Sequence, residues 1–306
     1  MLHSLPDHPL VSATLDEAGA ILGCNVLELD SSEALKSTVH AQLGVVIAGV
    51  SVGRALESED VRPEAVAGLS VGAFGAAIAA GVLPFEAALQ SVRLRGELME
   101  SAYRQGYGMT AILGLSETKV SALVTKVHSL DSPLYTASIN APKQIVVSGT
   151  LKALDQIEEH ARLAGATKVA RLQVSVPSHC ELLQMEAGLL GRAMAAIELS
   201  PPKALYVGNR GGRELRNPES IREDLATNMA HPVRWHDASQ VMYELGVRLF
   251  IELPPGRVLA GLIAAAFPQA RAIACSETRM DSICALARRL TLKSDGTRQD
   301  WSPLRK

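Results

Sequence analysis

The sequence predicts an α/β fold with a three-layer, mainly parallel sheet and a smaller inserted subdomain. Three observations support this prediction. Outside the middle third, short apolar strand patterns lie between helical patterns. A Gly-x-Ser-x-Gly pattern at residues 68–72 joins one such strand to a helix. The middle third has more strands than helices and a different order of elements.

The first third is predicted to be mainly helical. Apolar residues recur at helical spacing over residues 13–22 and 39–56, and the second helix is rich in small and β-branched residues, which indicates a buried position. A short strand at 61–68 is opened by Pro63. An alanine-rich helix follows at 73–81, and a longer helix is predicted at 85–103.

The middle third has the order β-α-β-β-α-β, which is typical of a ferredoxin-like unit. Its predicted elements are strand 109–113, helix 117–127, strands 134–139 and 144–148, helix 151–164 and strand 167–174. Because the unit starts and ends beside the other elements, we expect an insertion. The prediction is a large α/β catalytic domain at 1–106 and 175–306, and a small subdomain at 107–174.

The last third returns to alternating helices and strands. Helices are predicted at 181–197, 221–229, 235–245 and 258–266, and strands at 203–208 and 248–253. The tail after Lys293 is polar, and we expect it to be frayed. Alternation of this kind favours a parallel sheet covered by helices.

The composition of the chain limits the classes of function that we expect for it. A formal net charge of −2 without a long basic run makes nucleic acid an unexpected partner. Residues 65–83 carry no charge, but they are mostly Ala and Gly and include the serine turn, so we expect no membrane span. The four cysteines show no metal-ligand spacing and are expected to be reduced thiols of a cytoplasmic protein.

Ser70, at the centre of the Gly-x-Ser-x-Gly pattern, is the predicted nucleophile. A tight strand-to-helix turn holds such a serine in a strained backbone conformation and lifts its hydroxyl clear of the sheet. The following helix directs its positive N-terminal end at the site, where an oxyanion would form. The alternative interpretation is an ordinary glycine-rich turn in a chain with 24 glycines.

A serine needs a base, and the residues alone leave two candidates. His179 follows a proline at a predicted strand end, which is a favourable position, and His231 is the second choice. Either could instead be a structural histidine. Arg93 and Arg95 lie on one predicted helix, and at a spacing of two residues at most one can point inward.

Several motifs together give a resemblance that covers nearly the whole chain from about Leu15. They are Gly-Leu-Ser-Val-Gly at 68–72, Val-Arg-Leu-Arg-Gly-Glu-Leu-Met at 92–99, Ser-Ile-Asn-Ala-Pro at 138–142, Val-Ser-Val-Pro-Ser-His-Cys at 174–180, His-Pro-Val-Arg-Trp at 231–235 and Pro-Gly-Arg-Val-Leu at 255–259. In order and spacing the chain resembles the malonyl-CoA:acyl-carrier-protein transacylases, which have a hydrolase-like acyltransferase core. Leu69, where that family usually has histidine, and Ala73-Phe74 look more like the malonate decarboxylase epsilon subunit.

The resemblance implies a role for each of five residues. Ser70 would be the nucleophile and His179 its general base. Arg95 would hold the malonyl carboxylate, which suits a planar guanidinium. The amide of Val71 would supply one oxyanion donor. The main-chain carbonyl of Asn228 would orient the histidine, so that the side chain at position 228 would matter little.

The chain departs from the family at its start. Family members open with a strand and a Phe-Pro-Gly-Gln-Gly loop, whose glutamine amide is the other oxyanion donor, and nothing here matches it. The expectation is that this form lacks a strand and half of its oxyanion hole. Loss of one such donor costs about 10²–10³ in turnover.

The resemblance implies a ping-pong transfer of malonyl from malonyl-CoA to the thiol of an acyl carrier protein, with the malonate decarboxylase carrier subunit as the expected acceptor. No metal or redox cofactor is expected. The first alternative is the malonyl transacylase of fatty-acid synthesis, which differs in its carrier. The others are a serine hydrolase or thioesterase, which would need no Arg95, and a non-catalytic carrier-docking scaffold.

Overall fold

The computed structural model describes residues 1–103 and 105–294. Its central helix, α2 (Thr38–Ser58), carries Val, Ile, Leu, Ala and Gly along most of its length and is largely buried. The helices α1 (Pro9–Leu22) and α4 (Phe85–Ala102) pack on α2. By length and composition α2 could cross a membrane, but 61% of its apolar window is buried inside the fold, as in the core helix of a globular protein.

The other helices follow the apolar periodicity of the sequence closely. They are α3 (Gly72–Ala79), α5 (Glu117–Val127), α6 (Leu151–Leu163), α7 (Gln184–Met194), α8 (Pro218–Thr227), α9 (Trp235–Glu244), α10 (Val258–Ala266) and α11 (Met280–Ser294). Short 3₁₀ turns occur at Leu2–Ser4, Val26–Asp30, Ala34–Lys36, Glu181–Leu183 and Asn228–Ala230.

The strands outside the middle third are short and form two separate small sheets in the described residues. β1 (Ala65–Ala67) pairs in parallel with β6 (Leu205–Val207), which pairs antiparallel with β7 (Glu214–Leu215). β8 (Leu249–Glu252) pairs in parallel with β9 (Arg271–Ala274). Both parallel pairs agree with the prediction of an α/β fold.

The prediction of one mainly parallel sheet is wrong in detail. The sheet around β1 is mixed because the chain turns back at Gly208 and adds the two-residue strand β7 as a hairpin partner of β6. β1 has only three residues because the serine turn follows it immediately. The structure therefore gives an α/β fold with mixed sheets.

The middle third forms a four-stranded antiparallel sheet of β2 (Tyr107–Leu113), β3 (Leu134–Ala141), β4 (Gln144–Thr150) and β5 (Lys168–Arg171), in the order β3-β4-β2-β5. One face is covered by α5 and α6, and together they bury a separate apolar cluster that includes Ile112, Leu134, Ile145, Leu154 and Ile157. The sheet contacts the rest of the chain through the pairing of Ser138 with Val233.

Several predicted bounds differ from those observed. The helix expected at 181–197 begins as a 3₁₀ turn and is α-helical only over α7, and the strand expected at 167–174 is limited to β5. The start of the chain is ordered, with the His8 ring accepting a hydrogen bond from the Leu10 amide at the N-cap of α1. The strands β7 and β9 and the helix α11 were not predicted. The frayed tail expected after Lys293 lies outside the described residues beyond Ser294.

Candidate active site

The turn between β1 and α3 presents Ser70 in a strained backbone conformation. Its φ angle is 57°, which lies in the left-handed region that non-glycine residues rarely adopt. A Cβ atom at Gly68 would lie 2.1 Å from the carbonyl carbon of Gly72. Only glycine at position 68 permits this close approach of the two backbone segments, so the first glycine of the Gly-x-Ser-x-Gly pattern is required by the shape of the turn.

His179 contacts Ser70 across 109 residues of sequence. Its Nε2 atom lies 2.7 Å from Ser70 Oγ, and its Nδ1 atom lies 2.7 Å from the carbonyl oxygen of Asn228. A carbonyl oxygen can only accept, so Nδ1 carries the ring proton and donates it to Asn228. Nε2 is then left to accept the hydrogen bond of the serine hydroxyl, and this is the arrangement in which an imidazole can take up a serine proton.

The backbone around His179 holds the ring in place. The residue has a φ angle of 64°, and its amide donates to the Met229 carbonyl at 2.7 Å. The side chain is only 4% exposed. Burial, followed by the positive charge of Arg95, lowers the pKa of His179 to about 4, against hydrogen bonds that raise it. The imidazole is therefore neutral at pH 7 and ready to accept a proton.

Arg95 extends from α4 to the same serine and is 1% exposed. Its Nη2 atom donates to Ser70 Oγ at 3.2 Å and to Asn228 Oδ1 at 3.3 Å. Its Nη1 atom donates to Gln42 Oε1. Its Nε atom is buried and has no hydrogen-bond partner in the described residues. Burial lowers the pKa of Arg95 to about 10, so the guanidinium is still a cation at neutral pH.

The charge of Arg95 is not balanced by any carboxylate in the part of the chain that the structure describes. Arg93, by contrast, is exposed and pairs with Glu97 at 3.0 Å, so only one of the two arginines on α4 points inward. A buried cation without a counterion costs free energy, because the partners of Arg95 are all neutral. Such a buried group beside a serine and a base is typical of a site that an anionic ligand completes.

Asn228 contacts the site with its side chain as well as its carbonyl. Its Oδ1 atom accepts from Arg95, and its Nδ2 atom donates to the Ser70 carbonyl at 3.4 Å. The side chain at this position therefore joins the hydrogen-bond network of the site, in addition to the carbonyl contact expected from the sequence. The amide of Val71 donates to no group among the described residues, and it stands at the start of α3 next to Ser70.

Asn209 holds the backbone of the serine turn. Its Oδ1 atom accepts from the Ser70 amide at 2.8 Å, and its Nδ2 atom donates to the Gly68 carbonyl at 2.8 Å. The backbone amide of Asn209 in turn donates to the carboxylate of Asp224 at 2.9 Å. Asn209 is 4% exposed. One buried carboxamide thus satisfies the amide of the strained residue and the carbonyl group two residues before it.

His231 and Cys180, the other candidates near the site, have different surroundings. His231, the second choice of base, is partly exposed and makes no hydrogen bond to Ser70 in the described residues. It lines a separate cavity of 540 Å³, together with Thr136, Arg210 and Arg234. Cys180 is buried, and burial raises its pKa to about 11, so it is a thiol at neutral pH. The described residues contain no group of three His, Cys, Asp or Glu side chains that could hold a metal ion.

The structure brings together all five residues singled out from the sequence. It adds two that sequence reasoning missed, Gln42 and Asn209. Gln42 is a polar residue that directly precedes the apolar run 43–50 of α2, and that position was the signal available for it. Asn209 follows β6, and its position beside Ser70 depends on the parallel pairing of β6 with β1, which no local pattern reveals.

Comparison with known proteins shows the family. The sequence profile of the acyl transferase domain family matches residues 13–287. A malonyl CoA-acyl carrier protein transacylase of Bacillus subtilis is 31% identical over 273 residues, which cover 88% of this chain and 86% of that protein. One of the same name from Escherichia coli is 32% identical over 262 residues, which cover 83% of this chain and 84% of that protein.

Solved structures agree with this result. The malonyl CoA-acyl carrier protein transacylase of Coxiella burnetii has a TM-score of 0.88 at 31% identity, covering 93% of this chain and 90% of that one. A malonyl-transacylase in complex with a type II PKS acyl-carrier protein has a TM-score of 0.86 at 30% identity, covering 92% of each chain. These likenesses extend through both the helical core and the middle third.

Proposed function

This chain belongs to the acyl transferase domain family and is an acyltransferase of the malonyl-CoA:acyl-carrier-protein transacylase type, and from that premise we propose a mechanism for it. Malonyl is transferred from malonyl-CoA to the thiol of an acyl carrier protein through a malonyl ester on Ser70. The observation that carries the proposal is the hydrogen bond of Ser70 Oγ to His179 Nε2 at 2.7 Å, beside a buried arginine without a counterion.

In the first half of the reaction, Ser70 Oγ attacks the thioester carbonyl carbon while His179 Nε2 takes the hydroxyl proton. The amide of Val71 donates to the oxyanion that forms. The carbon–sulfur bond then breaks, and the coenzyme A thiolate leaves with the proton that His179 returns. The Asn228 carbonyl, which accepts from Nδ1, stabilises the imidazolium during this exchange.

The second half reverses these steps with a different thiol. The carrier thiol gives its proton to His179 Nε2 while its sulfur attacks the ester carbonyl carbon. The ester bond to Ser70 breaks, and Ser70 Oγ recovers a proton from the imidazole. One serine and one base therefore serve the acyl donor and then the acyl acceptor, which gives ping-pong kinetics.

Arg95 is proposed to bind the free carboxylate of the malonyl group. The Nε and Nη2 atoms form one edge of a guanidinium and can bind a carboxylate bidentately. In this chain Nε has no partner among the described residues, and Nη2 contacts Ser70 Oγ. A carboxylate on this edge would place the rest of the acyl group next to the nucleophile, whereas an acetyl group would leave the cation unpaired.

The acceptor is proposed to be an acyl carrier protein. The names of the relatives support this acceptor. They favour the alternative of a malonyl transacylase that loads an acyl carrier protein over an enzyme that loads the malonate decarboxylase carrier subunit. The likeness of Leu69 and Ala73-Phe74 to the malonate decarboxylase epsilon subunit remains a prediction.

We also propose the domain division made from the sequence, with a ferredoxin-like subdomain at 107–174 in a cytoplasmic protein.

Intact-mass spectrometry after mixing with malonyl-CoA tests the proposal. The wild-type protein should gain one malonyl group, and Ser70→Ala should gain none. Ser12→Ala, which changes an exposed serine on α1, is the matched control and should be acylated like the wild type. Absence of a wild-type adduct, or an adduct that survives in Ser70→Ala, would contradict the proposal.

A second measurement identifies the acceptor. The malonylated protein is mixed separately with an acyl carrier protein, a malonate decarboxylase carrier subunit and buffer alone. Loss of the malonyl group to the acyl carrier protein supports the proposal. Equally rapid loss in buffer would instead support the serine hydrolase alternative, in which water is the acceptor.

A further inference from the structure

Arg95 is held in place from a second helix. Gln42 projects from α2, and its Oε1 atom accepts a hydrogen bond from Arg95 Nη1. Its Nε2 atom donates to the sulfur of Met99 at 3.5 Å, on the next turn of α4. Gln42 is 7% exposed, so both halves of its amide are satisfied within the protein.

A close approach of α2 and α4 brings the two side chains together. A Cβ atom at Gly96 would lie 2.7 Å from the Cα atom of Val39, so glycine is needed at that crossing. Gln42 is three residues after Val39, and Arg95 directly precedes Gly96. The contact between Gln42 and Arg95 is therefore fixed by two packed helices, and not by a loop.

Gln42 also contacts only one of the three nitrogen atoms of the Arg95 guanidinium. It occupies Nη1, while Nη2 faces Ser70 and Asn228, and Nε has no partner in the described residues. An amide oxygen is a neutral acceptor, so it fixes the plane of the guanidinium without cancelling its charge. A carboxylate at the same point would pair with the arginine permanently.

We propose that Gln42 is a positioning residue that sets acyl specificity, because it aims Arg95 at the carboxylate of the acyl group and leaves the charge of Arg95 free to bind it. This inference rests on the proposed function. It adds that the choice of a neutral side chain at position 42 is what keeps the arginine available to an acidic thioester.

Two substitutions separate this role from a structural one. Gln42→Glu keeps the shape and adds a carboxylate that competes with the substrate for Arg95. It should raise the KM for malonyl-CoA by about a hundredfold, the effect of losing a strong charge-assisted hydrogen bond. Gln42→Met removes the acceptor and adds no charge, and it should lower kcat/KM for malonyl-CoA by about tenfold.

Acetyl-CoA is the control substrate that distinguishes a lost carboxylate contact from a general structural defect. Acetyl transfer needs no carboxylate contact, so its kcat/KM should stay near the wild-type value in both variants. Gln156→Glu, which makes the same change at an exposed position on α6, should alter neither substrate. The melting temperature of each variant is measured alongside, and Gln42→Met alone suffices if Gln42→Glu does not fold.

The outcomes distinguish the inference from the proposed function. If the wild type is not acylated by malonyl-CoA, the proposed function fails. If the wild type is acylated but the Gln42 variants lose malonyl and acetyl activity equally, or lose neither, the role assigned to Gln42 is overturned. A malonyl-specific loss in Gln42→Met, which is larger in Gln42→Glu where that variant folds, supports it.

Discussion

Replacing Arg95 by alanine should change which acyl group is transferred. The edge of the guanidinium formed by Nε and Nη2 can donate two charge-assisted hydrogen bonds to a carboxylate, each worth about 1.5–3 kcal/mol, or about 3–6 kcal/mol together. Each 1.4 kcal/mol corresponds to a factor of about ten. Arg95→Ala should therefore lower kcat/KM for malonyl-CoA by about 10²–10⁴ relative to acetyl-CoA.

The ratio of the two substrates is the informative quantity. Removing Arg95 also leaves the oxygens of Gln42 and Asn228 without a donor, but that defect affects both acyl groups and cancels in the ratio. The assay measures transfer to an acyl carrier protein from each thioester. Arg93→Ala, two residues away on the exposed side of α4, is the matched control and should leave the ratio unchanged. A preference for malonyl that persists in Arg95→Ala would refute the reasoning.

Three further predictions follow from the geometry of the site. Asn209→Ala removes both hydrogen bonds that hold the serine turn, so kcat for acylation should fall about tenfold with little change in KM. Single-turnover kinetics measure this effect, and a change confined to KM would contradict the prediction. Because the pKa of His179 is lowered to about 4 in the free enzyme, kcat/KM for acylation should stay high as the pH falls from 7 and decline only near pH 4; a decline near the usual imidazole value of about 6.5 would contradict it. Gly68→Ala should abolish the malonyl adduct and lower the melting temperature, whereas Gly75→Ala, whose added Cβ has no neighbour within 4 Å, should do neither.

The lowered pKa of His179 also affects stability. The folded imidazole has a pKa near 4, below the value of about 6.5 expected in the unfolded chain. Between these two values the unfolded state binds more protons, so the free energy of unfolding falls as the pH falls through this window. The contribution is fully present above about pH 6.5 and is lost at about pH 4.

Local patterns predicted most helices of this fold because their apolar residues repeat at 3.6-residue spacing. The helix at α5 and the helix at α10 were predicted with the observed bounds. The strands were harder, since β7 has two residues and β9 has four, which is too short for an alternating pattern to stand out. The mixed sheet could not be predicted because it depends on the return of the chain at Gly208.

The site was only partly predictable from the residues themselves. The two glycines around Ser70 indicated a tight turn, and the structure gives a steric reason for Gly68, whereas a Cβ atom at Gly72 would have no neighbour within 4 Å. The choice between His179 and His231 was settled by resemblance to a family, since each is a histidine in a plausible loop. Asn209 lies 139 residues from Ser70, and a contact at that separation depends on the pairing of β1 with β6.

The orientation of His179 by a peptide carbonyl has a consequence for how the enzyme distinguishes one acyl group from another. No acid lies behind the ring in the described residues, and burial, together with the charge of the nearby Arg95, opposes the gain of a proton by the imidazole. An incoming group that carries its own negative charge would cancel this opposition and make the base stronger on arrival. An uncharged group would not. The enzyme would then distinguish acyl groups by the rate of acylation as well as by affinity, because the acidic acyl group itself supplies the missing negative charge.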